Sequence, residues 1–94
     1  MNVISKKKII EYGRKQSSAR KPLEAWYAIM STKSFSKIQD LRKTFNAVDP
    51  VGDFTIFNIG GNNFCLIAKI YYKNQICMIK EIMTHSQYDK WSAK

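Results

Sequence analysis

The sequence predicts an α+β domain, with two to three N-terminal helices packed on one face of a small antiparallel sheet. Two observations lead there. In the first half, apolar residues recur at helical spacing: Leu23, Trp26, Tyr27 and Met30 fall at i, i+3, i+4 and i+7. Beyond Gly52 the pattern changes to short apolar runs separated by Gly, Asn and Lys, which is strand and hairpin chemistry. A chain of 94 residues has room for one core, so residues 1–94 are read as a single domain.

The elements follow in order. Met1 to Ile4 is short and β-branched, a first strand. Ser5 suits the N-cap of a helix to about Gln16, with Ile9 and Tyr12 on its apolar side and Gly13 weakening it. Ser17 and Ser18 interrupt the pattern, and Pro22 suits the first turn of a second helix. Ser36 is placed to cap a third, short helix carrying Ile38, Leu41 and Phe45. Asn46 to Gly52, with Asp49-Pro50, reads as loop. Phe54 to Ile59, Phe64 to Tyr72 and Ile76 to Met83 read as strands. Gly61-Asn62 suits the centre of a type II′ hairpin, and Lys73-Asn74 a two-residue turn.

That second turn sets a register in which Ile70 faces Cys77 and Ile67 faces Lys80. Alternation then puts Cys65, Ile67, Lys69, Tyr71, Met78, Lys80 and Ile82 on one face. Leu66, Ala68, Ile70, Cys77 and Ile79 lie on the other, which the helices cover. Lys69 and Lys80 become neighbouring cations on one face. The two cysteines point to opposite faces and do not pair.

Lys plus Arg number 16 against 7 Asp plus Glu, a net charge of +9, which favours an anionic partner. No apolar run approaches the roughly 18 residues of a membrane span. No leader-like apolar stretch follows Lys6, Lys7 and Lys8. The cysteines read as reduced, cytosolic thiols. One histidine and two separated cysteines do not make a structural zinc site. Neither a phosphate-binding glycine loop nor a nucleophile elbow is present. No metal and no cofactor are expected, so any catalysis rests on Lys, Arg, His, Tyr and carboxylates.

Four groups carry the possible chemistry. His85, the single histidine, is suited to general acid catalysis near neutral pH. Lys69 and Lys80 could hold a phosphodiester and offset the charge of a pentavalent transition state. Their plainer role is that of solvated strand lysines. Tyr88 could stack on a base, or pack the C-terminal segment onto the sheet. Lys6, Lys7, Lys8 and Arg14, with Lys15, Arg20 and Lys21, could track a phosphate backbone or form a solvated helix face. Asn58, Asn62 and Asn63 flank the glycine turn and suit turn stabilisation or RNA contact. Trp26 and Tyr27 sit at core spacing and read as packing.

Several strings resemble the HigB-type mRNA interferase toxins of bacterial toxin–antitoxin pairs, a branch of the RelE-like ribonucleases. Val3-Ile4-Ser5 and Pro22-Leu23-Glu24-Ala25-Trp26-Tyr27 resemble that family's first strand and second helix. Val51-Gly52, leading into Phe57-Asn58-Ile59-Gly60-Gly61-Asn62, is the most specific segment. Leu66-Ile67-Ala68-Lys69-Ile70 resembles the next strand, and Thr84-His85-Ser86-Gln87-Tyr88-Asp89-Lys90 the C-terminal motif. The resemblance covers nearly the whole chain.

It implies a RelE-like fold and metal-independent cleavage of mRNA, usually on the ribosome, in the bacterial cytoplasm and away from membranes. It also implies a neutralising antitoxin with a helix-turn-helix domain, operator DNA being contacted only through the toxin–antitoxin complex. His85 matches the motif histidine, the general acid, and Tyr88 the motif tyrosine. Lys69, Lys80 and Cys65 stand where the family commonly has arginines. Lys keeps the charge but not the bidentate fork, and Cys65 carries no charge. The implied chemistry is attack of an RNA 2′-hydroxyl on the adjacent phosphorus, with Lys69 or Lys80 neutralising the phosphorane and His85 protonating the departing 5′-oxygen. A second function stays open from the residues alone: a non-cleaving RNA- or ribosome-binding module derived from the same fold, motivated by Cys65.

Overall fold

The computed structural model describes residues 1–61 and 63–91. The chain runs β1 (Asn2–Ile4), α1 (Lys6–Lys15), α2 (Ser17–Thr32), α3 (Ile38–Thr44), β2 (Val48–Val51), β3 (Phe54–Ile59), β4 (Phe64–Tyr71), β5 (Ile76–Thr84) and α4 (His85–Lys90). The five strands form one sheet in the order β1-β5-β4-β3-β2. The predicted α+β class holds, with N-terminal helices against a mostly antiparallel sheet.

Several local expectations change. Ser5 takes the N-cap position in the left-handed conformation, at φ 75°, and makes no side-chain cap bond. It turns the chain from strand into helix. α2 begins at Ser17, so Pro22 lies inside the helix and not in its first turn. The missing proline N–H deprives only the Ser18 carbonyl, which is on an exposed turn. The Pro22 ring packs instead against Gly60 of the β3–β4 turn, where a Cβ would come 3.5 Å from Pro22 Cγ. Gly60 also has φ +63°, a conformation that favours glycine. Ser36 does not cap α3: Lys37 holds that position, and the Asp40 carboxylate accepts from the Ser36 N–H at 3.0 Å.

The expected loop from Asn46 to Gly52 contains β2, antiparallel to β3 with Val48 opposite Phe57 and Pro50 opposite Thr55. Proline is tolerated there because β2 is an edge strand. β1 also departs from the meander. It pairs parallel to β5, with Asn2 opposite Ile76 and Ile4 opposite Met78. The intervening helices supply the long crossover that a parallel pair needs.

The β4–β5 register follows expectation from Tyr71 opposite Ile76, through Ile70 opposite Cys77, to Ala68 opposite Ile79. A bulge then intervenes, and Ile67 faces Glu81, not Lys80. Lys80 is the extra residue, and from there on the alternation of β5 is reversed. Ile82 consequently packs with the helix-side core, and Met83 with the opposite one.

Both sheet faces carry a core. On the helix side, Ala19, Leu23, Trp26 and Met30 of α2 and Leu41 of α3 meet Phe57, Leu66, Ala68, Cys77 and Ile79. On the other face, Ile56, Cys65, Ile67 and Met83 form a second cluster, against which Phe54, Tyr88 and Trp91 pack. The cysteines lie on opposite faces, free and buried. Gln75 ties the β4–β5 turn to the chain beyond α2: its Nε2 donates to the carbonyls of Phe35 at 2.6 Å and Tyr72 at 2.7 Å.

Leu66→Ala empties fully buried volume at the centre of the larger core and should lower stability by about 2–5 kcal/mol. Urea unfolding would read this as a lower midpoint at unchanged slope. Burial pushes the Cys77 thiol from its ordinary 9.0 up to about 12, against a smaller opposing pull from the N-terminal ammonium. The unfolded thiol therefore ionises first, and stability contributed at lower pH is lost progressively as pH rises from 9.0 to about 12. Cys77→Val should flatten that alkaline decline in a series of unfolding curves.

Candidate functional site

The end of β5 becomes α4 through a capping box. The Thr84 hydroxyl accepts from the Gln87 N–H at 3.1 Å, and the Gln87 carbonyl oxygen Oε1 accepts from the Thr84 N–H at 2.9 Å. His85 is the first residue of α4, and its N–H donates to the Asn63 carbonyl at 2.9 Å. These bonds fix the helix start over the second face of the sheet. Among the described residues, α4 and Trp91 are what the C-terminal segment contributes to that face.

Below His85 lies the fully buried Cys65 of β4. Its sulfur is 3.6 Å from His85 Nδ1. Its S–H donates to Asn58 Oδ1 at 3.5 Å, Asn58 being the register partner of Cys65 in the β3–β4 pair. The other imidazole nitrogen, Nε2, faces outward, 3.8 Å from Asp89 Oδ1 one turn along α4. The His85 and Asp89 side chains are 44% and 67% exposed, so this pair is wet and adds little to stability. Burial raises the Cys65 pKa, and the Asp89 charge adds to the rise, so the sulfur is a neutral thiol beneath the imidazole.

Tyr88 is half-buried, its ring 6.3 Å from that of His85 and stacked on Trp91 at 5.9 Å. Trp91 in turn meets the Phe54 ring at 5.7 Å, and its Nε1 donates to Glu81 at 3.1 Å. Burial raises the phenol pKa, reinforced by Cys65, Asp49 and Asp89, so Tyr88 keeps its proton and can donate a hydrogen bond.

The structure thus brings together His85, Tyr88 and Asn58. Asn63 lies in the adjacent turn, while Asn62 lies outside the described residues. The β5 bulge falls at Lys80, which therefore has no register partner on β4. Lys69 stays on β4 opposite Met78, its ammonium 5.7 Å from the centre of the Tyr71 ring. Lys80 lines a groove between α1 and β5 with Lys8, Tyr12, Arg14 and Lys15, and the carboxylates of Glu11 and Glu81 line it too. Lys6 points the other way, over the Tyr27 ring at 4.5 Å, and Lys7 is exposed. The basic residues of α1 are therefore divided between two sides of that helix. Among the described residues, no group of three or more His, Cys, Asp and Glu is arranged to hold a metal ion.

Sequence reasoning missed α4, although Thr84-His85-Ser86-Gln87 has the capping-box spacing that announces a helix start. It also missed the contact of Cys65 with His85, for which no local signal exists.

The chain is similar to known proteins over most of its length. Residues 19–91 match the profile of the HigB toxin family, described as the RelE-like toxic component of a toxin–antitoxin system. The "mRNA interferase toxin HigB" of Escherichia coli strain K12 is 28% identical over 96 residues, covering 99% of this chain and 92% of the relative. The "mRNA interferase HigB" of Escherichia coli O6:H1 is 30% identical over 93 residues, covering 96% and 90%. The protein is by class a RelE-like toxin component. Within that class, the chain belongs to the HigB toxin family.

Thr84→Ala removes the cap that sets α4 over the sheet. Amide exchange across His85–Lys90 should rise about fivefold, the equivalent of about 1 kcal/mol, while exchange in β4 stays unchanged.

Proposed function

We propose that this chain acts as a single domain, residues 1–94, that cleaves mRNA without a metal at the corner where His85 overlies β4. The chain is an mRNA interferase, as its Escherichia coli relatives are named. The observation that carries the site is the asymmetry of His85: Nδ1 rests on buried Cys65, and Nε2 is turned to solvent. A histidine held by one nitrogen and open at the other is suited to deliver a proton to a substrate.

The RNA 2′-hydroxyl attacks the adjacent phosphorus, forming the 2′-O–P bond as its proton leaves to solvent. The bond from phosphorus to the 5′-oxygen breaks, and His85 Nε2–H protonates that oxygen. The products are a 2′,3′-cyclic phosphate and a 5′-hydroxyl. Lys69, on the same sheet face as Cys65, offsets the charge of the phosphorane. Tyr88 positions the scissile nucleotide. Lys80, with Lys8 and Arg14, holds the phosphate backbone from the α1 groove, and Lys6, Lys7, Asn58, Asn62 and Asn63 add contacts elsewhere along the RNA.

A toxin component implies a cognate antitoxin. We take that partner to be a helix-turn-helix protein, with operator DNA reached only through the complex. mRNA on cytoplasmic ribosomes is the substrate. Among the described residues, no helix is long and apolar enough to cross a membrane. A second function, non-cleaving binding to RNA or the ribosome, is favoured by one observation: an uncharged, buried Cys65 lies directly beneath His85.

Mapping mRNA 5′ ends after brief expression separates the two. Wild type should create new ends within translated regions, and His85→Ala should lose about 10²–10⁴ in single-turnover cleavage. Cleavage by the purified protein should persist in EDTA. Ribosome association of the wild type without new ends would establish the binding function.

A further inference from the structure

We infer that Cys65, itself oriented by Asn58, is the positioning residue that sets the tautomer of His85. This rests on the reading of His85 as the proton donor, and it deepens that reading. Three contacts carry it. Cys65 Sγ lies 3.6 Å from Nδ1, and among the described residues no other side chain is within hydrogen-bonding distance of that nitrogen. The thiol hydrogen is directed to Asn58 Oδ1 at 3.5 Å. The sulfur lone pairs are thereby left free to accept from Nδ1–H. The acceptor is rigid, because Cys65 is fully buried in β4 and Asn58 sits opposite it in β3.

The consequence is chemical. When Nε2 gives up its proton, the neutral imidazole that remains carries its hydrogen on Nδ1, the tautomer that the sulfur accepts. The Asn58–Cys65–His85 chain therefore stabilises the state that proton donation leaves behind, and it holds the Nε2 lone pair outward to be reprotonated. Because the sulfur stays uncharged, it orients the ring without the electrostatic pull that a carboxylate would add. Asp89, the charged group facing the imidazole, approaches Nε2 and not Nδ1.

The test reads the imidazole directly and does not depend on turnover. Nitrogen-15 NMR of His85 in the full chain, above its titration midpoint, should report the Nδ1–H tautomer in wild type. Cys65→Ala should shift it towards Nε2–H, Asn58→Leu should shift it partway, and Cys65→Ser should retain the wild-type pattern. In single-turnover cleavage, Cys65→Ala should lower kcat about three- to tenfold at unchanged KM, a loss matching one neutral hydrogen bond, with rescue in Cys65→Ser. An identical tautomer in wild type and Cys65→Ala overturns the inference, whatever the activity. So does a Cys65→Ser variant no better than Cys65→Ala in both readouts. A wild type with the expected tautomer but no RNA cleavage sinks the proposed function and leaves the assignment of Cys65 standing. Should Cys65→Ala fail to fold, the Asn58→Leu and Cys65→Ser spectra decide.

Discussion

Strand β4 is buried along both faces, from Phe64 to Ala68 without interruption. Everything else in the protein answers that constraint. A five-residue apolar stretch of this kind needs cover above and below, because each of Phe64, Leu66 and Ile67 left in water forfeits roughly 1.5–3 kcal/mol. α2 and α3 cover one side, with Leu23, Trp26, Met30 and Leu41 over Leu66 and Ala68. The other side needs Tyr88 and Trp91 over Cys65 and Ile67, and these residues come from the segment after β5. Packing of the second face therefore brings His85 over Cys65. The candidate active site is a by-product of covering the sheet.

The bulge at Lys80 has the next largest consequence. One extra residue in β5 reverses its alternation and turns Ile82 towards the helices and Met83 towards α4. Without the reversal, the smaller core would lose Met83, and an isoleucine would occupy its place. The same residue lines the α1 groove with Lys8, Arg14 and Lys15, beside the carboxylates of Glu11 and Glu81. That groove therefore mixes basic and acidic side chains.

The corner chemistry departs from the arginine-rich pattern that the family resemblance implies. Cys65 in place of an arginine removes a charge from beneath His85 and substitutes a neutral acceptor held by Asn58. The gain is a histidine with one anchored and one exposed nitrogen. The half-buried Tyr88 of the same helix stacks on Trp91 and lies tilted beside His85.

Much of this was legible in the residues themselves. The helical spacing of Leu23, Trp26 and Met30, the glycines of the β3–β4 turn and the pairing of Ile70 with Cys77 are local or nearest-neighbour properties, set by backbone geometry and apolar periodicity. The string from Thr84 to Lys90 likewise marked His85 and Tyr88 as the chemistry to examine. The tertiary structure alone decided the parallel placement of β1, the edge strand at Asp49-Pro50, the bulge at Lys80 and the contact of His85 Nδ1 with the Cys65 sulfur. Each of those depends on contacts between residues distant in sequence. A bulge in particular costs little locally and is chosen by which face of β5 must meet which core, a competition that exists only once both cores are in place.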